Sequence, residues 1–181
     1  FHLYGGNDLK TKLHDGSEIN ITQITDYPWD GKINVKIDKI TSNKENSLFF
    51  RIPQWSENSQ LTVNGQKVDV ALNSGSYAEV KRKWKKGDVV ELHLDMQPVL
   101  MESNPLVEEN RNQVAVKRGP HVYCLQSADL HEGYNIDDIL IPTDIQFTTK
   151  PITIENSPIV SLEGEADLLV NDSWQNTLYR P

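Results

Sequence analysis

Cysteine is almost absent: Cys124 is alone in 181 residues, so no internal disulfide can staple the chain and the redox compartment stays open. Positive charge is short as well. The 18 Lys and Arg stand against 26 Asp and Glu, a formal net charge of −8. That balance argues against nucleic acid or an anionic membrane as partner, because both need a cationic face. No apolar run approaches the roughly 20 residues of a membrane helix. No helical periodicity persists for three turns, and no repeat of about 20–50 residues recurs. A Gly-x-Ser-x-Gly elbow is missing, and Gly5-Gly6 lacks the following helix that a phosphate loop requires. The chain opens on Phe1 without a signal-peptide pattern and reads as a piece of something longer, its targeting signals elsewhere.

What is present is strand alternation. Leu48, Phe50 and Ile52 share one face of an extended segment that Pro53 ends, with Trp55 in the bend. Leu61-Thr62-Val63, Asn64-Gly65 and Gln66-Lys67-Val68 read as a hairpin, since a type I′ turn needs positive φ at both central residues. Ala78, Val80, Arg82 and Trp84 fall on one face, and after the turn Lys85–Asp88 the apolar face resumes with Val90, Leu92 and Leu94. These are half-buried antiparallel strands.

Around this centre the pattern is looser. Phe1–Tyr4 reads as an entering strand. Ile19 and Ile21 alternate with polar neighbours, and Ile24 breaks parity as a bulge would. Residues 25–31 form a loop around Pro28 and Asp30-Gly31, followed by the strand of Ile33, Val35 and Ile37. Beyond Leu94, short strands are expected at residues 113–116, 122–125, 145–147, 151–154, 159–162 and 168–170, with one helical turn at 136–140. Trp174 and Leu178-Tyr179 have no evident strand partner. The fold class is all-β, an antiparallel β-sandwich with jelly-roll-like or Greek-key connections. Two packed β domains are expected: residues 1–107, and a smaller, truncated one over residues 108–181.

Chemistry is hard to find. His121 and Cys124 are three apart, and on a strand such positions face opposite ways, so they cannot share a metal ion. Cys124 shares a face with Val122, which suits a small buried hydrophobe and predicts an unreactive thiol. Carboxylates are plentiful, but no acid–base pair can be drawn from spacing alone. No catalytic and no metal-binding residue is assigned. The aromatics remain. Tyr27, Trp29 and Trp55 could stack against sugar rings or pack between domains, and Trp29 and Trp55, both beside proline, are the expected exposed pair.

These residues, taken in order, carry a family resemblance. Tyr4, Thr25-Asp26-Tyr27-Pro28-Trp29, Phe50-Arg51-Ile52-Pro53-Gln54-Trp55, Leu61–Gly65, Arg82–Asp88, and Arg118-Gly119-Pro120 with Tyr123, Cys124, Leu125 and Asp129 cover most of the chain up to Leu130. Together they resemble the C-terminal, non-catalytic β-sandwich region of glycoside hydrolase family 127, the β-L-arabinofuranosidase-type enzymes. The resemblance implies an upstream (α/α)6 barrel in the same parent chain that holds the catalytic machinery, including a zinc-bound cysteine nucleophile. None of those positions is present here, and Cys124 belongs to the sandwich motif. Zinc is therefore expected only in that upstream domain, and no cofactor in this chain. The implied role is an accessory module that supports the barrel, with a homodimer interface as a further role. The runner-up is a carbohydrate-binding module using exposed Trp and Tyr. A periplasmic or secreted parent would suit either.

Overall fold

The computed structural model describes residues 1–169, which fold as two compact units. Unit 1 comprises Phe1–Gln97 together with Arg118–His121; unit 2 comprises Pro98–Lys117 and, among the described residues, 122–169. The expected elements at Val170, Trp174, Leu178 and Tyr179 lie wholly or partly outside the described residues.

Unit 1 holds eight strands: β1 (Asn7–Lys12), β2 (Glu18–Thr25), β3 (Lys32–Ile40), β4 (Asn46–Arg51), β5 (Gln60–Val63), β6 (Gln66–Lys67), β7 (Tyr77–Arg82) and β8 (Val89–His93). Six of them form an antiparallel sheet in the order β1-β2-β3-β8-β5-β6, and β4 pairs with β7 as a second layer. Chain neighbours β3 and β4, β4 and β5, β6 and β7, and β7 and β8 therefore lie in different layers. This crossing makes a sandwich.

Alternation explains the core. Ile33 of β3 faces Leu92 of β8, which faces Leu61 of β5; Val35, Val90 and Val63 repeat the row one pleat along. All six are buried, and Leu48, Phe50, Ala78 and Val80 of the second layer close over the same cluster. Each fully buried aliphatic or aromatic side chain contributes about 1.5–3 kcal/mol. Trp84 is buried just past β7, and its indole N–H donates to the Asn46 carbonyl at 2.8 Å. Asn64 and Gly65 adopt φ of 53° and 75°, as the hairpin reading requires.

Two expectations for unit 1 are corrected. Phe1–Tyr4 is not a strand. Phe1 stacks on Phe50 with centroids 4.8 Å apart, and its carbonyl accepts the Arg51 N–H. The first strand is instead Asn7–Lys12, every residue of which is exposed, so it carries no alternation to read. Ile24 marks no bulge either. β2 stays regular, the buried Gln23 takes the inward position and Ile24 is 60% exposed. The register shift between β2 and β3 falls at Asn20/Ile21, where Ile19 faces Ile40 and Ile21 faces Ile37. Inside, the Gln23 amide N–H donates to the Gly5 carbonyl at 2.6 Å, while its Oε1 is buried without a hydrogen-bond partner among the described residues.

Unit 2 is built from β9 (Pro98–Glu102), β10 (Val114–Arg118) and β11 (His121–Tyr123) in one sheet, with two further pairs. β12 (Ile139–Leu140) pairs with β15 (Asp167–Leu168), and β13 (Thr148–Ile154) with β14 (Ser157–Glu163). Glu155 and Asn156, both at positive φ, make the β13–β14 turn. The expected strand at residues 145–147 is absent; Ile145 and Phe147 instead lie where a side chain on Gly164 would go. The turn expected at 136–140 is a short 3-10 segment, Ile136–Asp138, running into β12. Cys124 is also corrected: it is exposed, and Val122 is 70% exposed. β11 ends at Tyr123, before Cys124; Val122 is on its open face, while His121 and Tyr123 are half-buried.

Two outcomes follow from these placements. A Cβ on Gly31 would sit 2.0 Å from the Leu94 carbonyl oxygen, across the hydrogen bond from Leu94 N to Gly31 O. Gly31→Ala should therefore cost about 1–3 kcal/mol in urea unfolding, through backbone displacement at a close approach. Cys124 should react with a thiol reagent about as fast in native protein as in denaturant, and strong native protection would contradict its exposed placement.

Candidate functional site

Within unit 1, the loop 25–31 meets the turn Arg118–His121, which is 89 residues further along the chain at Arg118. The loop is tightly bonded. Thr25 Oγ1 accepts the Tyr27 N–H and donates to the Lys32 carbonyl, Trp29 N–H reaches Asp26 O at 2.9 Å, and Asp30 Oδ1 accepts the Lys32 N–H. The Tyr27–Pro28 peptide is cis. This frame holds Trp29 parallel to the His121 imidazole, with centroids 4.1 Å apart and planes 9° from parallel. Arg118 Nη1 donates to the Trp29 carbonyl at 3.0 Å. Gly119 permits the tight turn between them, with φ of +57° and the Met96 side chain against its Cα.

Tyr27 points the other way. It packs on the core and meets Tyr4 edge-on at 6.0 Å. The Tyr4 hydroxyl donates to the Arg51 carbonyl at 2.7 Å. Burial pushes both phenols above their ordinary range. Trp55 packs against the core from the bend after Pro53, where Ser56 N–H donates to the Pro53 carbonyl. All three named aromatics, Tyr27, Trp29 and Trp55, are half-buried, so the expectation that Trp29 and Trp55 stand exposed is not met. One face of Trp29 is occupied by His121. Proline beside each tryptophan fixes the backbone; it says nothing about what the ring meets.

Arg118 and His121 could not be joined to Trp29 from spacing, although Arg118-Gly119-Pro120 was among the matching pieces. His121 is the titratable member. Burial lowers its pKa, the Arg118 charge lowers it further, and a hydrogen bond with the Pro28 carbonyl opposes both.

Reactive chemistry does not converge on this cluster. Among the described residues no three of His, Cys, Asp and Glu come together to hold a metal ion, and Cys124 is exposed. The donor set thus does not fit zinc. The cluster offers rigid aromatic surface and a fixed guanidinium, which suit contact rather than bond cleavage.

Residues 1–96 match the family described as "Beta-L-arabinofuranosidase, GH127 middle domain", and residues 98–163 match the "Glycoside hydrolase family 127 C-terminal domain". A non-reducing end beta-L-arabinofuranosidase of Bifidobacterium longum subsp. longum is 36% identical over 118 residues, covering 62% of this chain and 18% of that protein. A solved structure described as a glycoside hydrolase superposes with a TM-score of 0.90 at 53% identity, over 99% of this chain and 30% of its own. A GH127 beta-L-arabinofuranosidase from Geobacillus stearothermophilus T6 superposes with a TM-score of 0.88 at 35% identity, over 99% of this chain and 28% of its own. The chain spans no more than 30% of the length of any of these three.

The His121 environment sets a pH dependence. A histidine whose folded pKa lies below its unfolded value, about 6.5, binds fewer protons in the native state. Its contribution to stability is complete above that unfolded value and is lost as pH falls through it toward the folded pKa. Urea midpoints measured between about pH 5 and 8 should therefore decline on the acid side, and His121→Gln should flatten that decline. An unchanged slope in the variant would remove His121 as its source.

Proposed function

Because the chain belongs to glycoside hydrolase family 127, we propose that it is the non-catalytic β-sandwich region of a bacterial β-L-arabinofuranosidase-like enzyme. In this reading it comprises two accessory β domains that support an (α/α)6 catalytic barrel of the same parent chain. A homodimer formed through this region belongs to the same reading. The observation that carries it is the joint match of residues 1–96 and 98–163 to the middle and C-terminal domains of the family, in that order. The cluster around Trp29 agrees, since its backbone and one ring face are already held by Arg118 and His121. A rigid aromatic loop loses little entropy when it docks.

The half-burial of Tyr27, Trp29 and Trp55 supports packing over a glycan platform at those residues. His121 already takes one face of Trp29, which leaves at most the other for a ligand.

The isolated chain should release no sugar from aryl arabinofuranosides. Turnover that scales with purified protein and disappears on mutating a carboxylate would overturn the accessory role. In the full-length parent, Trp29→Ala should lower thermal stability by roughly 1–3 kcal/mol if the loop is a hot spot of the domain contact.

A further inference from the structure

The run Lys81-Arg82-Lys83-Trp84-Lys85-Lys86 is unusual for a chain of net charge −8, because it puts five of the 18 Lys and Arg within six residues. It borders an open groove of about 430 Å³ in unit 1, between residues 68–70 after β6 and residues 80–83 at the end of β7. We propose that this groove binds a carboxylate-bearing oligosaccharide.

Three features support an anionic sugar. Val68 and Val70, both half-buried, give the groove apolar surface suited to the C–H faces of a sugar ring, while Val80 beneath them is buried in the core. Lys81 and Lys83 are exposed at its rim. Arg82 lies between them and is held in place, its guanidinium 5.3 Å above the Trp84 ring and 3.9 Å from an Asp88 carboxylate oxygen. A planar fork fixed in this way loses little freedom on gripping a carboxylate. Asp69 is the one acidic residue in the lining. It repels an anion and accepts hydroxyl hydrogen bonds, so it orients the ligand with carboxylate toward Lys81 and Lys83 and hydroxyls toward Asp69.

The volume falls within the range of small-ligand sites, about 300–1,000 Å³. A second groove, of about 310 Å³, provides a contrast. It is lined wholly by polar residues, Lys10, Thr11, Lys12, Glu18 and Asn20, and Glu18 is already paired with Lys39 at 2.5 Å. Charge specifies an anion; that the anion is a sugar rests on the glycan-degrading reading above.

The test titrates the 181-residue chain with tetragalacturonate and with neutral galactotetraose by calorimetry, at low and high salt. Saturable binding of the acid, weakened by salt, is expected, with the neutral sugar at least about tenfold weaker. Lys81→Glu with Lys83→Glu should weaken the acid about tenfold or more, while Lys10→Glu with Lys12→Glu leaves it unchanged. Circular dichroism confirms that both variants fold. Absence of binding, equal binding of the neutral sugar, or binding that survives the first charge reversal would overturn the proposal. So would a polyglutamate peptide that binds as tightly, which would make the groove a protein site. Sugar release in the same samples is read separately: cleavage would overturn the accessory role and leave the groove standing.

Discussion

The ladder between β3 and β8 is the contact on which the sandwich depends. It joins the β1-β2-β3 half of the large sheet to the β8-β5-β6 half, and backbone bonds clamp it at both ends. At one end Leu94 N–H donates to the Gly31 carbonyl at 2.9 Å, in space only glycine leaves open. At the other, Ile37 N–H donates to Asp88 O and Gly87 N–H to Ile37 O. Between the clamps Ile33 and Val35 meet Leu92 and Val90, all buried. Without this ladder the large sheet would divide into two three-stranded halves.

The Asp88 end also organises the turns. Its carboxylate accepts the Lys85 N–H at 2.8 Å and the Asn64 amide at 2.9 Å, while Asn64 Oδ1 accepts the Val89 N–H. The Asn64-Gly65 hairpin and the Lys85–Asp88 turn are therefore latched together. Lys81, Lys83, Lys85 and Lys86 stay exposed beside this latch. The Gly31 end starts β3 where the Trp29 loop finishes.

Unit 2 differs in kind. None of its described residues is fully buried, and apolar side chains such as Val99, Met101 and Val122 are exposed. Its strands are held by pairing, as in the β13–β14 hairpin, and by single contacts such as Tyr123 Oη to the Val160 carbonyl at 3.0 Å. Strands without a one-sided core carry weak alternation, which is why short segments here were harder to read than those of unit 1.

The amino-acid sequence by itself determined the inward faces of β3, β4, β5, β7 and β8, because burial on one side imposes a period of two on the side chains. It also determined the Asn64-Gly65 turn, since few residues accept positive φ. It could not show β1, whose residues are all exposed, nor that Gln23 rather than Ile24 turns inward, because the deciding partner is the Gly5 carbonyl. Nor could it tell which face of β11 is open: alternation sets Val122 opposite His121 and Tyr123, but does not say which side is covered. Only the tertiary structure brought Arg118 and His121 to Trp29 and set residues 68–70 beside the basic run. Contacts across tens of residues leave no local periodicity, so they exist only once the chain has closed on itself.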